Sequence, residues 1–326
     1  MINNQNSTNM KKLLITGGAG YIGTRMCNEL CNEYDITVCD LFWFGDFLDP
    51  KIKRIKKDIK HLTVDDVKGF DVVLFLGGLS NDPMAMYRPD INFIENSAVP
   101  TYLAFIAKEA GVKKFIGASS CSVYGFTENK TLTEQSSVKP SFAYGISKLQ
   151  CERGIMILED DSFKPILFRK GTVGGWSPKM RFDLVINTML MTALTEKKIT
   201  VNSPNLWRPL IDIRDVIQGY KRAIDCGEEV SGVFNLSGVN YTIGELGRLI
   251  HERLNDLGHK VDLEVLDVED FRNYKVNTDK VSDALNFTAL YKPIDTINEI
   301  LENIDLDSFD FTDDNYYNIK TFKKIM

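Results

Sequence analysis

The sequence predicts an α/β fold: a doubly wound parallel sheet with a smaller C-terminal α/β domain. Three observations predict it. Short apolar runs alternate with longer amphipathic stretches through the first half of the chain, the pattern of repeated β-α units. Val72-Val73-Leu74-Phe75-Leu76 is apolar at every position, as a strand buried on both faces must be. Leu13-Leu14-Ile15 runs directly into Thr16-Gly17-Gly18-Ala19-Gly20-Tyr21-Ile22-Gly23, a glycine turn that opens a helix.

The elements follow in order. Lys12 to Thr16 is a strand, and Tyr21 to Cys31 is a helix with Tyr21, Ile22, Met26 and Leu30 on its apolar face. Ile36 to Asp40 is the second strand. A short strand near Arg54 to Asp58 lies within the locally basic stretch Lys51 to Lys60; Ile52, Ile55 and Ile59 interleave the charges, which form its solvated side. After the strand at Val72, one long helix runs from about Asp90 to Ala110 and is stopped by Gly111. Lys114 to Ala118 is a strand, Ser141 to Leu158 a helix and Ile166 to Phe168 a strand. Right-handed crossovers between such units wind helices onto both faces of the sheet.

Beyond about residue 170 the pattern loosens. Helices are expected at Phe182 to Thr195, Arg214 to Cys226, Thr242 to Leu254 and Pro293 to Asn303. Strands are expected near Ile199 and Ile211, at Val233 to Asn235 and at Val261 to Leu266. The division is therefore residues 1–170, a cofactor-binding domain, and 171–326, mainly a substrate-binding domain partly interleaved with the first. The tail from Asp305 is acidic, then aromatic and basic, and its role is not legible.

The glycine turn carries the first chemical reading. A side chain there would hold the backbone away from a pyrophosphate. Without one, free N–H groups and the positive end of the helix dipole face the anion. Gly17, Gly20, Tyr21, Ile22 and Gly23 are the expected contacts of a Rossmann dinucleotide site. Asp40 ends the second strand, where a carboxylate accepts hydrogen bonds from both adenosine ribose hydroxyls and repels a 2′-phosphate. The segment between Asp40 and Asp49 contains no Arg or Lys, so the expected cofactor is NAD rather than NADP.

Composition bounds the rest. The 326 residues are 44% apolar and 26% charged, with a net charge of −6, ordinary for a globular protein with a substantial core. No basic block dominates, so neither nucleic acid nor a membrane surface is an expected partner. Six cysteines without paired spacing and three histidines without a CxxC suggest no disulfide scaffold and no metal site. The N-terminal Met1 to Asn9 is polar and lacks a signal-type apolar core, and a reducing, cytoplasmic setting is the default expectation.

Tyr144-Gly145-Ile146-Ser147-Lys148 is a Tyr-x-x-x-Lys on an expected helix. Residues four apart share a helix face, so phenol and ammonium point into one site. The neighbouring positive charge is expected to lower the phenol pKa and let Tyr144 exchange a proton with a sugar hydroxyl or ketone. Ala118-Ser119-Ser120-Cys121-Ser122 stands at the carboxyl end of a strand, where parallel sheets place ligands. A serine hydroxyl there binds the same substrate oxygen.

These motifs together resemble an extended short-chain dehydrogenase/reductase of the NAD-dependent nucleotide-sugar epimerase/dehydratase type. The resemblance spans nearly the whole chain: the glycine loop, Asp40, Asp58-Ile59, Gly77-Gly78, Asn96, Ser119-Ser120, Tyr144 with Lys148, and Arg208 followed by Leu210 to Val216. It implies that Asp58 and Ile59 contact adenine, and that Gly77, Gly78, Asn96 and Ser119 line the cofactor. Ser120, Tyr144 and Lys148 would be catalytic, Lys148 also holding the nicotinamide ribose. The expected partner is a nucleotide-diphosphate sugar, gripped by Arg208 and Arg272, since a planar guanidinium binds phosphate oxygens bidentately. Ser120, Ser122 and Asn187 join the substrate set, with Arg181 beside it. A homodimer is implied, with the helices from Asp90 and Ser141 pairing across a two-fold axis.

Departures narrow the chemistry. Sugar 4,6-dehydratases of this type carry an Asp-Glu pair where this chain has Cys121-Ser122, which disfavours water elimination. The Ser119-Ser120-Cys121 run echoes the 3,5-epimerase/4-reductases, yet none of His61, His251 and His259 falls at a partner position, and Cys121 reads as packing. Thr172-Val173-Gly174-Gly175 stands where many epimerases have Asn-Val-Tyr/Phe-Gly, a departure at the nucleotide contacts. The expected activity is epimerisation through a transient keto-sugar, with hydride passing to and from bound NAD. A dehydrogenase or 4-ketoreductase would use the same Ser, Tyr and Lys. A non-catalytic NAD sensor would be expected to have lost the Tyr/Lys pair.

Overall fold

The computed structural model describes residues 10–125, 127, 130–266 and 273–326. Its centre is a seven-stranded sheet built from β1 (Lys12–Thr16), β2 (Asp35–Asp40), β3 (Lys53–Lys56), β4 (Val72–Phe75), β5 (Lys114–Ser120), β6 (Lys164–Lys170) and β7 (Gly232–Leu236). The spatial order is β7-β6-β5-β4-β1-β2-β3. Every pairing is parallel. In register, Leu14 lies between Thr37 and Val73. The order reverses direction at β1, where a crevice opens outside the carboxyl ends of the strands. This is the Rossmann-like sheet the sequence predicts.

The pattern of side chains explains the order. Val72 to Phe75 are all buried, in keeping with a central strand covered on both faces. Lys53, Arg54 and Lys56 are not buried; their strand is an edge, and charge on an edge discourages further pairing. β7 comes from beyond residue 170 and pairs with β6, so the late sequence re-enters the first sheet. Three smaller sheets stand beside it. Trp207–Asp212 pairs with Thr172–Gly174 and Val239–Thr242, Lys198–Asn202 with Asp262–Leu266, and Thr131–Leu132 with Lys275–Val276.

Two expectations need correction, and one segment without an expectation finds its place. The helix from about Asp90 is not continuous: Pro89–Phe93 and Val99–Glu109 are α-helical, and Ile94–Ala98 between them is a π turn. Pro100 has no N–H to continue the ladder, and the Val99 N–H reaches back to Ile94 O instead. The helix expected from Phe182 begins at Val185, because the Phe182 N–H donates to Tyr316 O at 3.0 Å and its ring sits among Phe309, Phe311, Tyr316 and Tyr317. The tail has a place: its helix Asn318–Ile325 packs on the helix Asp82–Tyr87. No helix among the described residues is long and apolar enough to cross a membrane.

Candidate active site

A cleft of about 630 Å³ opens at the carboxyl ends of β1, β4, β5 and β6. One end is the glycine loop. Gly17 has φ +74°, and a Cβ there would come within 2.3 Å of the Gly77 nitrogen. Only glycine lets these two loops touch. Gly20 caps the helix Tyr21–Leu30 without any side-chain bond, so the first-turn N–H groups remain open to an acceptor. A Cβ on Gly23 would lie 2.6 Å from Gly18 Cα, so glycine there seats the helix against the loop.

Asp40 stands beside this cradle. Its Oδ2 accepts from Ala19 N–H at 3.0 Å and its Oδ1 from Phe42 N–H at 2.8 Å. Burial pushes its carboxyl pKa up, and those backbone donors pull it back. Each oxygen accepts one bond and keeps capacity for another. Asp58, Ile59, Gly77 and Gly78 line the same part of the cleft. Asp58 pairs with Lys60 at 2.8 Å. The open N–H groups, the side-chain-free floor and the carboxylate at the second strand fit the pyrophosphate and ribose of NAD.

The other end gathers Ser120, Ser122, Tyr144 and Lys148. β5 ends at Ser120, and the helix Ala143–Met156 carries Tyr144 and Lys148 on one face. Ser120 lies next to Tyr144, and its Oγ meets Ser122 Oγ and Ser122 N–H, both at 3.1 Å. Lys148 is buried and donates to Ala118 O at 3.2 Å, with its ammonium 5.8 Å from the centre of the Tyr144 ring. The expected lowering of the phenol pKa does not hold. Burial pushes Tyr144 up to about 12, while the Arg181 charge and the nearby Ser120 hydroxyl pull it only part of the way back. Burial also lowers the Lys148 pKa. Desolvation of the phenolate outweighs the Arg181 charge.

Several expected contacts are spent elsewhere. Asn187 does not line the cleft: it is fully buried, bonds Gly175 N–H and Arg181 O at 3.2 and 3.0 Å, and reaches the Tyr21 hydroxyl. Asn96 is likewise fully buried and off the cleft wall, donating to Leu79 O at 2.9 Å behind Gly78; a Cβ on Gly78 would come within 2.1 Å of its Oδ1. Ser119 borders the cleft, but its hydroxyl goes to Glu152, which also holds Arg169 at 2.7 Å. Tyr21 gives its hydroxyl to Gly175 O at 2.7 Å. Arg208 lines the cleft and lies 5.9 Å from the Tyr274 ring. Arg272 lies outside the described residues. Cys121 is 1% exposed and its thiol is pushed well above the ordinary range by burial, which suits packing.

Other wall residues had no signal in the sequence. Trp43 and Phe44 follow Asp40, Ser80 and Asn81 follow Gly78, and Asn318 and Ile319 come from the tail. Asn318 donates to Ser80 Oγ at 2.9 Å and accepts from Lys179 at 2.6 Å. Arg181 is held by Asp183 at 2.6 Å. A hydropathy jump at Trp43-Phe44 is visible in the chain, but which surface it faces is not.

Comparison with known proteins agrees with this geometry. The NAD dependent epimerase/dehydratase family model matches residues 13–237. An uncharacterized UDP-glucose epimerase of Bacillus subtilis is 26% identical over 250 residues, covering 70% of this chain and 77% of that protein. A UDP-glucose 4-epimerase of Lactobacillus helveticus is 31% identical over 176 residues, a match spanning 51% of this chain and 53% of that enzyme. Among solved structures, a UDP-N-acetylglucosamine 4-epimerase of Methanobrevibacter ruminantium superposes with TM-score 0.81 at 21% identity, covering 90% of this chain and 99% of that one. A UDP-glucuronic acid 4-epimerase of Bacillus cereus, in complex with UDP-glucuronic acid and NAD, gives 0.78 at 20% identity, covering 97% and 100%. These two likenesses support the fold.

Proposed function

Because the chain belongs to the NAD-dependent epimerase/dehydratase family, we propose that it is a nucleotide-sugar epimerase that works through a transient keto-sugar. One observation carries the reading: Ser120, Tyr144 and Lys148 stand together in a cleft whose far end is the glycine cradle. Bound NAD supplies the hydride acceptor and donor. Ser120 holds the sugar hydroxyl, and Tyr144 takes its proton and later returns it. Burial keeps Tyr144 protonated at rest, so added positive charge near the phenol is what readies it. Arg208 on the cleft wall suits a diphosphate. Cys121, a buried thiol, offers no acid for water elimination, which supports epimerisation over dehydration.

The test is Tyr144→Phe. Turnover of the sugar nucleotide should vanish while NAD binding survives. The wild type should interconvert isomers without net NADH; net NADH would favour the dehydrogenase or 4-ketoreductase cycle. The same reading takes a homodimer as the working unit. Exposed Ile94, Phe105 and Ile157 on the paired helices support it.

A further inference from the structure

Among the described residues, Lys170 at the reacting end of the cleft has no counter-ion. Lys170 ends β6 and lines the cleft. Side chains alternate along a strand. Arg169 turns to one face, where Glu152 binds it at 2.9 and 2.7 Å. Lys170 takes the other face, its ammonium 5.8 Å from the centre of the Tyr220 ring. Among the described residues it meets no carboxylate and no hydrogen-bond acceptor. The charges acting on it, from Lys148 and Arg181, are both positive; burial and these two cations lower its pKa to about 7.

Neither acid lining this end of the cleft, Asp183 or Asp82, pairs with Lys170 among the described residues. Asp183 is taken by Arg181 at 2.6 Å and by Asn81 at 2.6 Å. Asp82 acts on Tyr144 rather than on Lys170. The Tyr220 hydroxyl, buried beside Lys170, has no hydrogen-bond partner among the described residues. A half-buried ammonium facing like charges is unfavourable until an anion joins it. The glycine cradle lies at the opposite end, so the cofactor's pyrophosphate is not that anion. Tyr144 and Lys148 place this end at the reacting sugar.

We propose that Lys170, backed by Arg181, binds a carboxylate carried on the sugar beside its reacting carbon, so that the substrate class is a nucleotide-linked uronic acid. This rests on the epimerase reading above. The fit is specific to the sugar and independent of the nucleobase, and the test uses that independence. The NAD-loaded full chain is titrated with glucuronic acid 1-phosphate and with glucose 1-phosphate, which differ in the carboxylate alone. A charge-assisted contact should make the first bind about ten- to a hundredfold tighter. Lys170→Met, which keeps the aliphatic stem against Tyr220, should abolish the difference, and Lys170→Arg should retain most of it. Equal affinities in the wild type, including no binding of either, overturn the proposal. A preference that survives in Lys170→Met overturns it too. Failure of the epimerase reading shows separately, as net NADH or as no turnover across sugar nucleotides of every base, since the titration requires no turnover.

Discussion

Phe322→Ala should release the C-terminal helix from the cleft. The Phe322 ring is fully buried, 6.1 Å from the Trp43 ring and 6.2 Å from that of Tyr87, and it packs with Leu79 and Met84. Removing a buried phenylalanine side chain costs about 3–5 kcal/mol. The helix Asn318–Ile325 has 8 residues, too few to persist undocked. Its remaining polar anchor is Asn318, bonded to Ser80 and Lys179. Because the segment is terminal, the loss falls on local docking rather than on the central sheet. At about 1.4 kcal/mol per decade, 3 kcal/mol raises the undocked population on the order of a hundredfold. Amide hydrogen exchange followed by mass spectrometry reads this directly: the C-terminal peptide should exchange about a hundred times faster while peptides from β4 and β5 keep their protection. Since Asn318 and Ile319 wall the cleft, NAD should also dissociate faster. Unchanged exchange in the C-terminal peptide would refute the reasoning, as would an equal loss of protection throughout the sheet.

Gly17→Ala should abolish NAD binding, measured by calorimetry, because its Cβ would sit 2.3 Å from Gly77 nitrogen at a φ of +74°; retained affinity would show that the two loops can part. Lys179 is fully buried, and burial followed by the Arg181 charge lowers its pKa to about 7 from 10.5. Between those values the unfolded chain binds more protons, so this group makes stability rise with pH. The melting temperature of Lys179→Met, taken relative to wild type, should therefore be higher at pH 6.5 than at pH 9. If the proposed dimer forms, paired Phe105→Asp and Ile157→Asp changes should convert a two-chain mass in analytical ultracentrifugation to one chain, since Phe105 and Ile157, just past the helix Ala143–Met156, are exposed and apolar.

The features legible in the sequence are short-range ones. The glycine loop works through backbone conformations fixed within a few residues, so Gly17 to Gly23 announces itself. Tyr144 and Lys148 share a helix face because four residues make about one turn. Val72 to Phe75 reads as a central strand because burial on both faces leaves an unbroken apolar run. Local rules do not give the π turn at Ile94–Ala98, because it depends on how Pro100, with no N–H, alters the turn before it.

Other features depend on residues far apart in the chain. Asn187 carries the right chemistry for a ligand contact, yet Gly175, Arg181 and Tyr21 claim it inside the fold. The Tyr-x-x-x-Lys spacing implies an acidified phenol, but desolvation, a property of everything packed around Tyr144, sets its pKa higher. The sequence by itself determined the parallel sheet, the cofactor cradle and the Ser120, Tyr144 and Lys148 set, because each is encoded in contiguous or helix-spaced residues. Only the tertiary structure decided that Asn318 and Ile319 close the cleft wall and that, among the described residues, Lys170 faces Lys148 and Arg181 without a carboxylate, because burial and charge balance are sums over neighbours that chain order does not list.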